Sequence, residues 1–157
     1  MFATTSSGLA NRETLLSMSG LAFMEAMKDG TLPHPPIAQG LNYRVDVVEP
    51  GRVTFVGAPS FAHCNPMGTV HGGWYGTLLD SAMACAVMTT VPRGSFYTTL
   101  EYKVNLVRSI PLDTEIVAEG VVQHGGRSTG VAEGTIRGRA DGKLYATGST
   151  TCLVMAG

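Results

Sequence analysis

Four residues hold most of the chemistry this sequence offers: His71, Gly72, Gly73 and Asp80, eight positions past the first glycine. Glycine at a helix start lets another group approach the backbone closely. The first N–H groups of a helix have no intrahelical partner and sit at the positive end of its dipole. They can hold an anion, or polarise a carbonyl on its way to an oxyanion. Two glycines also serve an ordinary tight turn. Asp80 is the only charged residue between His71 and Arg93, in a run that carries Trp74, Leu78, Leu79, Ala82, Met83, Ala86 and Val87. An acid in such a run costs free energy unless it is paired or used. No basic residue stands three or four positions away to pair with it. We read Asp80 as a working acid, with a hydrogen-bonded structural Asp as the alternative.

The spacing adds a constraint. Eight helical residues span roughly 12 Å. One carbonyl therefore cannot touch both the helix start and Asp80 of the same chain. If the two act together, they come from two chains. The acid's face also carries Gly73, Gly76, Thr77 and Ala84, all small. Two such helices, antiparallel across a two-fold axis, bring each start towards the other's acid. The sequence points to a dimer with composite sites.

The helix that positions these residues is expected from about Gly72 to Thr90, ending before Pro92 and Gly94. It is apolar over much of its circumference, as a core helix is. Ahead of it, 41–48 and 53–56 nearly alternate and flank Glu49-Pro50-Gly51, so they read as a hairpin. Residues 57–70 read as a loop. Behind it, 96–107, 114–123, 128–139 and 143–154 read as four strands of an antiparallel meander, the last pair joined by Asp141-Gly142. In the first of these, Phe96, Thr98, Leu100, Tyr102, Val104 and Leu106 form the alternating set. Residues 11–28 carry a helical stripe, with Asn11 as N-cap and Gly30 as stop. Pro33, Pro35 and Pro36 make a stiff, extended connector, with His34 expected at the surface, and residues 1–10 are expected to fray. The expected architecture is α+β: one curved sheet of about six strands around one long buried helix, plus an N-terminal helix. It forms one domain over 1–157, with 1–36 as N-terminal helix and connector and 37–157 as the core.

Composition excludes several classes. The chain has 157 residues, a formal net charge of −1 and no basic run, so nothing points to nucleic acid or an anionic membrane surface. Charged residues are only 15%, a hint of surface buried in an oligomer. No apolar run reaches the roughly 18 residues of a membrane span, and no signal peptide is read at the start. Cys64, Cys85 and Cys152 are odd in number and lack metal-ligand spacing. They fit free, mostly buried thiols in a reducing, cytoplasmic setting. His63 and His71 lack a third ligand, so no metal is expected.

The pattern Asn65-x-x-Gly68-x-x-His71-Gly72-Gly73, with Asp80 behind it, resembles the hot-dog-fold acyl-CoA thioesterases. The likeness is to the branch of the phenylacetate-pathway thioesterase and thioesterase-superfamily member 2. It extends through Thr98 to Arg108, Gly125-Gly126-Arg127 and the segment Asp141 to Gly148, covering roughly 40–154. It implies hydrolysis of an acyl-CoA thioester without a cofactor. Asp80 would be nucleophile or general base, and the Gly72 N–H of the partner chain would polarise the carbonyl. Asn65 and His71 would orient water, thioester or loop, and Thr99 would assist, with Thr98 as near neighbour. Gly73 would lie against substrate, and Arg108 and Arg127 are favoured for the phosphates of coenzyme A. Trp74, Tyr75, Phe61, Met67 and Met83 are acyl-pocket candidates, each with core packing as its plainer role. The resemblance further implies a dimer of dimers. Two other functions compete: a hydratase or dehydratase on acyl thioesters, and a non-catalytic acyl-CoA-binding module.

Overall fold

A computed structural model describes residues 1–157. The central helix, α4 (Gly72–Met88), buries Leu78, Leu79, Ala82, Met83, Ala86 and Val87 completely. Each large apolar side chain so placed contributes about 1.5–3 kcal/mol relative to exposure. A helix this apolar is stable only when wrapped, and six antiparallel strands wrap it. They are β1 (Tyr43–Glu49), β2 (Arg52–Gly57), β3 (Ser95–Leu106), β4 (Ile116–Gly125), β5 (Thr129–Gly138) and β6 (Leu144–Ala156). The expected α+β architecture is present, and no helix is long and apolar enough to cross a membrane.

The strand order is β1-β2-β4-β5-β6-β3. This corrects the expected four-strand meander. Only β4, β5 and β6 follow one another; β3 pairs with β6 at the far edge, and β2 pairs with β4. Local turn signals do not report that α4 carries the chain across the whole sheet before β3 begins.

A row of glycines seats the helix. Gly120, Gly134 and Gly148 lie opposite one another on β4, β5 and β6. A Cβ on Gly120 would land on the Ala82 carbonyl, and one on Gly134 would lie 2.7 Å from Met83 Cγ. The absent side chains let the backbone of α4 rest on the sheet. The largest hollow, about 540 Å³, lies on the other face of the same strands, lined by polar residues such as Lys103, Glu119 and Glu133. It is separated from Asp80 by the sheet.

The N-terminal helix divides in two. α1 (Arg12–Leu16) is capped by Asn11, as expected, and α2 (Gly20–Asp29) by Ser19. Ser17 turns its hydroxyl back to the Thr14 carbonyl, and Gly20 lets the chain pass against the Met88 carbonyl. Gly30 ends α2 at φ 84°. Pro36 opens a further short helix, α3 (Pro36–Gly40), where the connector was expected to stay extended; proline at a first helical position gives up only an N–H that has no partner there.

Two expectations about the N-terminal segment are corrected. Residues 1–3 are held down, because the Ala3 N–H donates to the His34 carbonyl and the His34 N–H to that of Met1, both at 2.9 Å. His34 is buried, not exposed, with its ring 5.4 Å from that of Phe2. Burial lowers its pKa.

Candidate active site

The loop before α4 is built by its own side chains. Asn65 Oδ1 accepts from the N–H groups of Met67 (2.9 Å) and Thr69 (3.2 Å), and Asn65 Nδ2 donates to Thr69 Oγ1 at 2.8 Å. Gly68 supplies the left-handed turn at φ 77°. Asn65 thus acts on the loop. His63 Nδ1 accepts from the Ser60 N–H at 2.9 Å, so Nε2 carries the proton and meets the Gly40 carbonyl at 3.0 Å. Both its ring nitrogens are occupied by backbone, leaving none for a metal.

His71 is the N-cap of α4. Its Nδ1 accepts from the Gly73 N–H at 2.8 Å, which puts the ring proton on Nε2, at the exposed side. Gly73 N–H is thereby occupied, whereas the Gly72 N–H makes no hydrogen bond within the chain. One unpaired donor therefore stands at the positive end of a 17-residue helix.

Asp80 is half-buried two turns further on. Thr99 Oγ1 donates to its Oδ1 at 3.1 Å, and Oδ2 has no partner in the chain. Burial raises the pKa of the carboxyl group, and the Thr99 hydroxyl partly offsets this by bonding the charged form.

A bulge in β3 makes the Thr99 contact possible. The pairing with β6 slips between Thr99 and Glu101. One extra residue there reverses which side chains face inward. Before it, Tyr97 and Thr99 face α4; after it, Tyr102 and Val104 do. The strand runs antiparallel along the helix, with Leu106 beside Gly72, Tyr102 beside Gly76, Thr99 on Asp80 and Tyr97 on Cys85. The alternating set read from sequence is therefore right only after the bulge. Thr98, offered as a neighbour of the site, is exposed on the opposite face of β3 from Thr99.

Two grooves flank the helix start. One, about 340 Å³, holds Asn65, Gly72, Tyr75, Leu106 and Arg108; the other, about 370 Å³, holds His71, Gly73, Trp74 and Thr77. Arg108 is tied in place through Tyr75, whose hydroxyl donates to the Arg108 carbonyl at 3.4 Å and accepts from the Ile110 N–H at 2.9 Å. Arg127 is not brought to this end. Its turn follows Gly125, which packs on Thr90 beyond the C-terminus of α4. Among the acyl-pocket candidates, Trp74, Tyr75 and Met83 are buried in the core, while Phe61 and Met67 are exposed on the loop.

Sequence reasoning missed the surroundings of Asp80. Tyr43 and Ser81 hydroxyls meet at 2.9 Å one residue away. Cys85 lies beside the Tyr97 phenol, and burial pushes its thiol up to about 12, which keeps it protonated at neutral pH. Cys152, fully buried, stands opposite Thr99. Tyr97 was hidden by the bulge, and no local signal marks Cys152.

The chain belongs to the thioesterase superfamily, whose family model matches residues 67–145, from the loop through α4 to β6. Among curated relatives it is similar to the acyl-coenzyme A thioesterase 13 of Mus musculus, 30% identical over 89 residues. That match takes in 57% of this chain and 63% of the mouse protein. Among solved structures it is similar to a phenylacetic acid degradation-related protein of Ralstonia eutropha JMP134 (27% identity, TM-score 0.76, 83% of this chain and 98% of that one). It is also similar to a hypothetical thioesterase protein of Streptococcus pneumoniae TIGR4 solved with coenzyme A (25% identity, TM-score 0.68, 76% and 91%). The fold is the hot-dog fold that the sequence motif implied.

Proposed function

We propose that this chain hydrolyses acyl-CoA thioesters to free acid and coenzyme A, in a dimer whose two sites each draw on both chains. The observation that carries this is the pairing of a half-buried Asp80, one oxygen tuned by Thr99 and the other free, with an unpaired Gly72 N–H at a helix start. Family membership and the coenzyme A in a similar structure support the substrate class.

Asp80 acts as general base or nucleophile. As base, its free oxygen takes a proton from water while the water oxygen bonds to the carbonyl carbon. The electron pair moves to the carbonyl oxygen, which the Gly72 N–H of the partner subunit stabilises. Collapse breaks the C–S bond, and the thiolate leaves with its own electron pair. A thioester has a good leaving group, so one base and one oxyanion donor suffice. His71 holds the helix start and offers its Nε2–H to water or thioester. Asn65 holds the loop, and Gly73 and Thr77 line a groove for substrate. Arg108, beside Gly72, suits the phosphates of coenzyme A. Arg127 reaches a phosphate only from another protomer. The assembly extends to a dimer of dimers, and the unpaired cysteines fit a cytoplasmic setting.

The test is thiol release from acetyl-, hexanoyl-, palmitoyl-, phenylacetyl- and hydroxybenzoyl-CoA, with the natural chain and with Asp80→Asn. Turnover of at least one ester, falling about 100-fold or more in the variant, is expected. Undiminished turnover by Asp80→Asn sinks the assignment. Tight acyl-CoA binding with no turnover supports a binding module instead.

A further inference from the structure

We propose that the groove of about 370 Å³ beside the helix start holds the acyl chain of the thioester, and that Tyr43, bonded to Ser81, ends it and sets the acyl length that fits. Placing the carbonyl on Gly72 rests on the hydrolase reading above; the groove and its stop do not.

This groove offers an apolar guest nothing to desolvate. No acid, lysine or arginine lines it, and its polar side chains are bonded within the chain. The Trp74 Nε1–H donates to the Leu41 carbonyl at 2.9 Å, and the Thr77 hydroxyl donates to the Gly73 carbonyl at 2.9 Å. His63 has both ring nitrogens on Ser60 and Gly40. The Cys64 thiol turns to the Gly68 carbonyl. Only the His71 Nε2–H is left over, and it lies at the helix start, not along the groove floor. An alkyl chain laid against Leu41, Ala62 and Trp74 therefore strands no donor or acceptor, and its burial is a net gain.

The groove on the other side of the helix start differs in carrying Arg108 beside Asn65 and Gly72. A carbonyl bonded to the Gly72 N–H lies between the two grooves. Its sulfur leads towards the cation, and its acyl carbon leads along the uncharged floor.

Two walls form the acyl groove and meet at its end. One is α4, where Gly73, Thr77 and Ser81 lie one turn apart on one face. The other is the segment that enters β1, with Leu41 and Tyr43 two residues apart. The Trp74–Leu41 bond joins the walls first. About one turn further on, the hydroxyls of Tyr43 and Ser81 meet at 2.9 Å and join them again. Tyr43 is buried, with its ring edge-on to Phe55 at 5.6 Å, so the stop is held from behind.

The distance sets the length. From Gly73 to Ser81 the helix advances about 12 Å. An extended alkyl chain advances about 1.3 Å per carbon, given a C–C bond of about 1.5 Å. With about 3.5 Å of van der Waals clearance at the stop, roughly six to eight carbons fit.

Chain length reads the groove directly. Dissociation constants are measured by calorimetry for coenzyme A and its acetyl, butyryl, hexanoyl, octanoyl, dodecanoyl and palmitoyl esters, in an Asp80→Asn background. Binding is expected to tighten about twofold per added CH₂ for a half-covered chain, up to octanoyl, and not beyond it. Tyr43→Ala opens the stop and is expected to favour dodecanoyl over hexanoyl about tenfold more than before. Thr77→Leu fills the groove from a half-exposed helix position and is expected to cut the preference for hexanoyl over acetyl about tenfold.

A folded Thr77→Leu with an unchanged length profile overturns the groove, as do esters that bind no tighter than coenzyme A itself. Steady tightening through palmitoyl without any change at Tyr43 overturns the stop. Should Tyr43→Ala not fold, Thr77→Leu and the natural length profile decide. Thiol release by the natural chain from the same esters separates the two proposals. Length-dependent binding that Thr77→Leu alters, without release, removes only the hydrolase assignment. Release with a length profile that Thr77→Leu leaves unchanged removes only the groove.

Discussion

Thr99 of β3 donates its hydroxyl hydrogen to Asp80 of α4 at 3.1 Å, across a seam that only the β3 bulge brings into phase. The bond favours the charged carboxyl group against the burial that raises its pKa. Thr99→Val removes that bond and leaves the shape almost unchanged. The acidic limb of kcat/KM against pH then moves to higher pH, because a less stabilised carboxylate takes up its proton earlier. An unmoved limb with Thr99→Val separates Thr99 from the chemistry.

Asp80 carries a stability signature as well. Its folded pKa lies above its unfolded value, so its contribution is greatest below the unfolded pKa and is lost as pH rises through the folded one. At neutral pH the charge is a burden to the fold. Asp80→Asn is expected to keep or raise the thermal midpoint at pH 7, with the gain disappearing towards pH 3. A clear loss of stability at pH 7 means that the carboxylate is structural.

His71 divides into two functions, a cap through Nδ1 and a free Nε2–H. His71→Ala loses both and should destabilise the protein by about 1 kcal/mol. His71→Asn offers a cap oxygen and should restore most of that stability, but not the lost activity. Denaturant midpoints and thiol release on the same samples check it. Full activity in His71→Asn assigns the residue to the cap alone.

The glycine seat under α4 predicts a sharp stability effect far from the reacting atoms. Gly120→Ala drives a methyl group into the Ala82 carbonyl, backbone that cannot swing away. A loss of about 3 kcal/mol, roughly 10 °C in thermal midpoint, is expected. Gly40→Ala, which meets nothing within 4 Å, should stay within about 0.5 kcal/mol. Equal midpoints for the two variants contradict the role of the glycine row.

Much of this was legible in the sequence because it is local. The greasy run after His71-Gly72-Gly73 marked α4, and Glu49-Pro50-Gly51 and Asp141-Gly142 marked turns. The isolated charge of Asp80 marked the site, and the Asn65 to Gly73 motif marked the fold. What stayed hidden depends on pairing between distant segments. The position of β3 at the far edge is set by α4 crossing the sheet. The bulge at Thr99–Glu101 flips a face without changing the residues that alternate. Gly120, Gly134 and Gly148 form a row only once three strands are in register. His34 reads as a surface residue until residues 1–3 fold over it.

The composite site is tested most directly by mixing two inactive protomers. Gly72→Pro deletes the one unpaired N–H while placing proline at the first helical position, where it is favoured. Gly72→Ala keeps the N–H and serves as control, its Cβ meeting only the end of Leu106 at 3.2 Å. Gly72→Pro and Asp80→Ala homodimers should each be inactive. Co-expressed, they form mixed dimers in which one site carries both lesions and the other carries none. Thiol release should then return to about a quarter of the natural rate for random pairing. No recovery in proven mixed dimers would contradict a site shared between two chains.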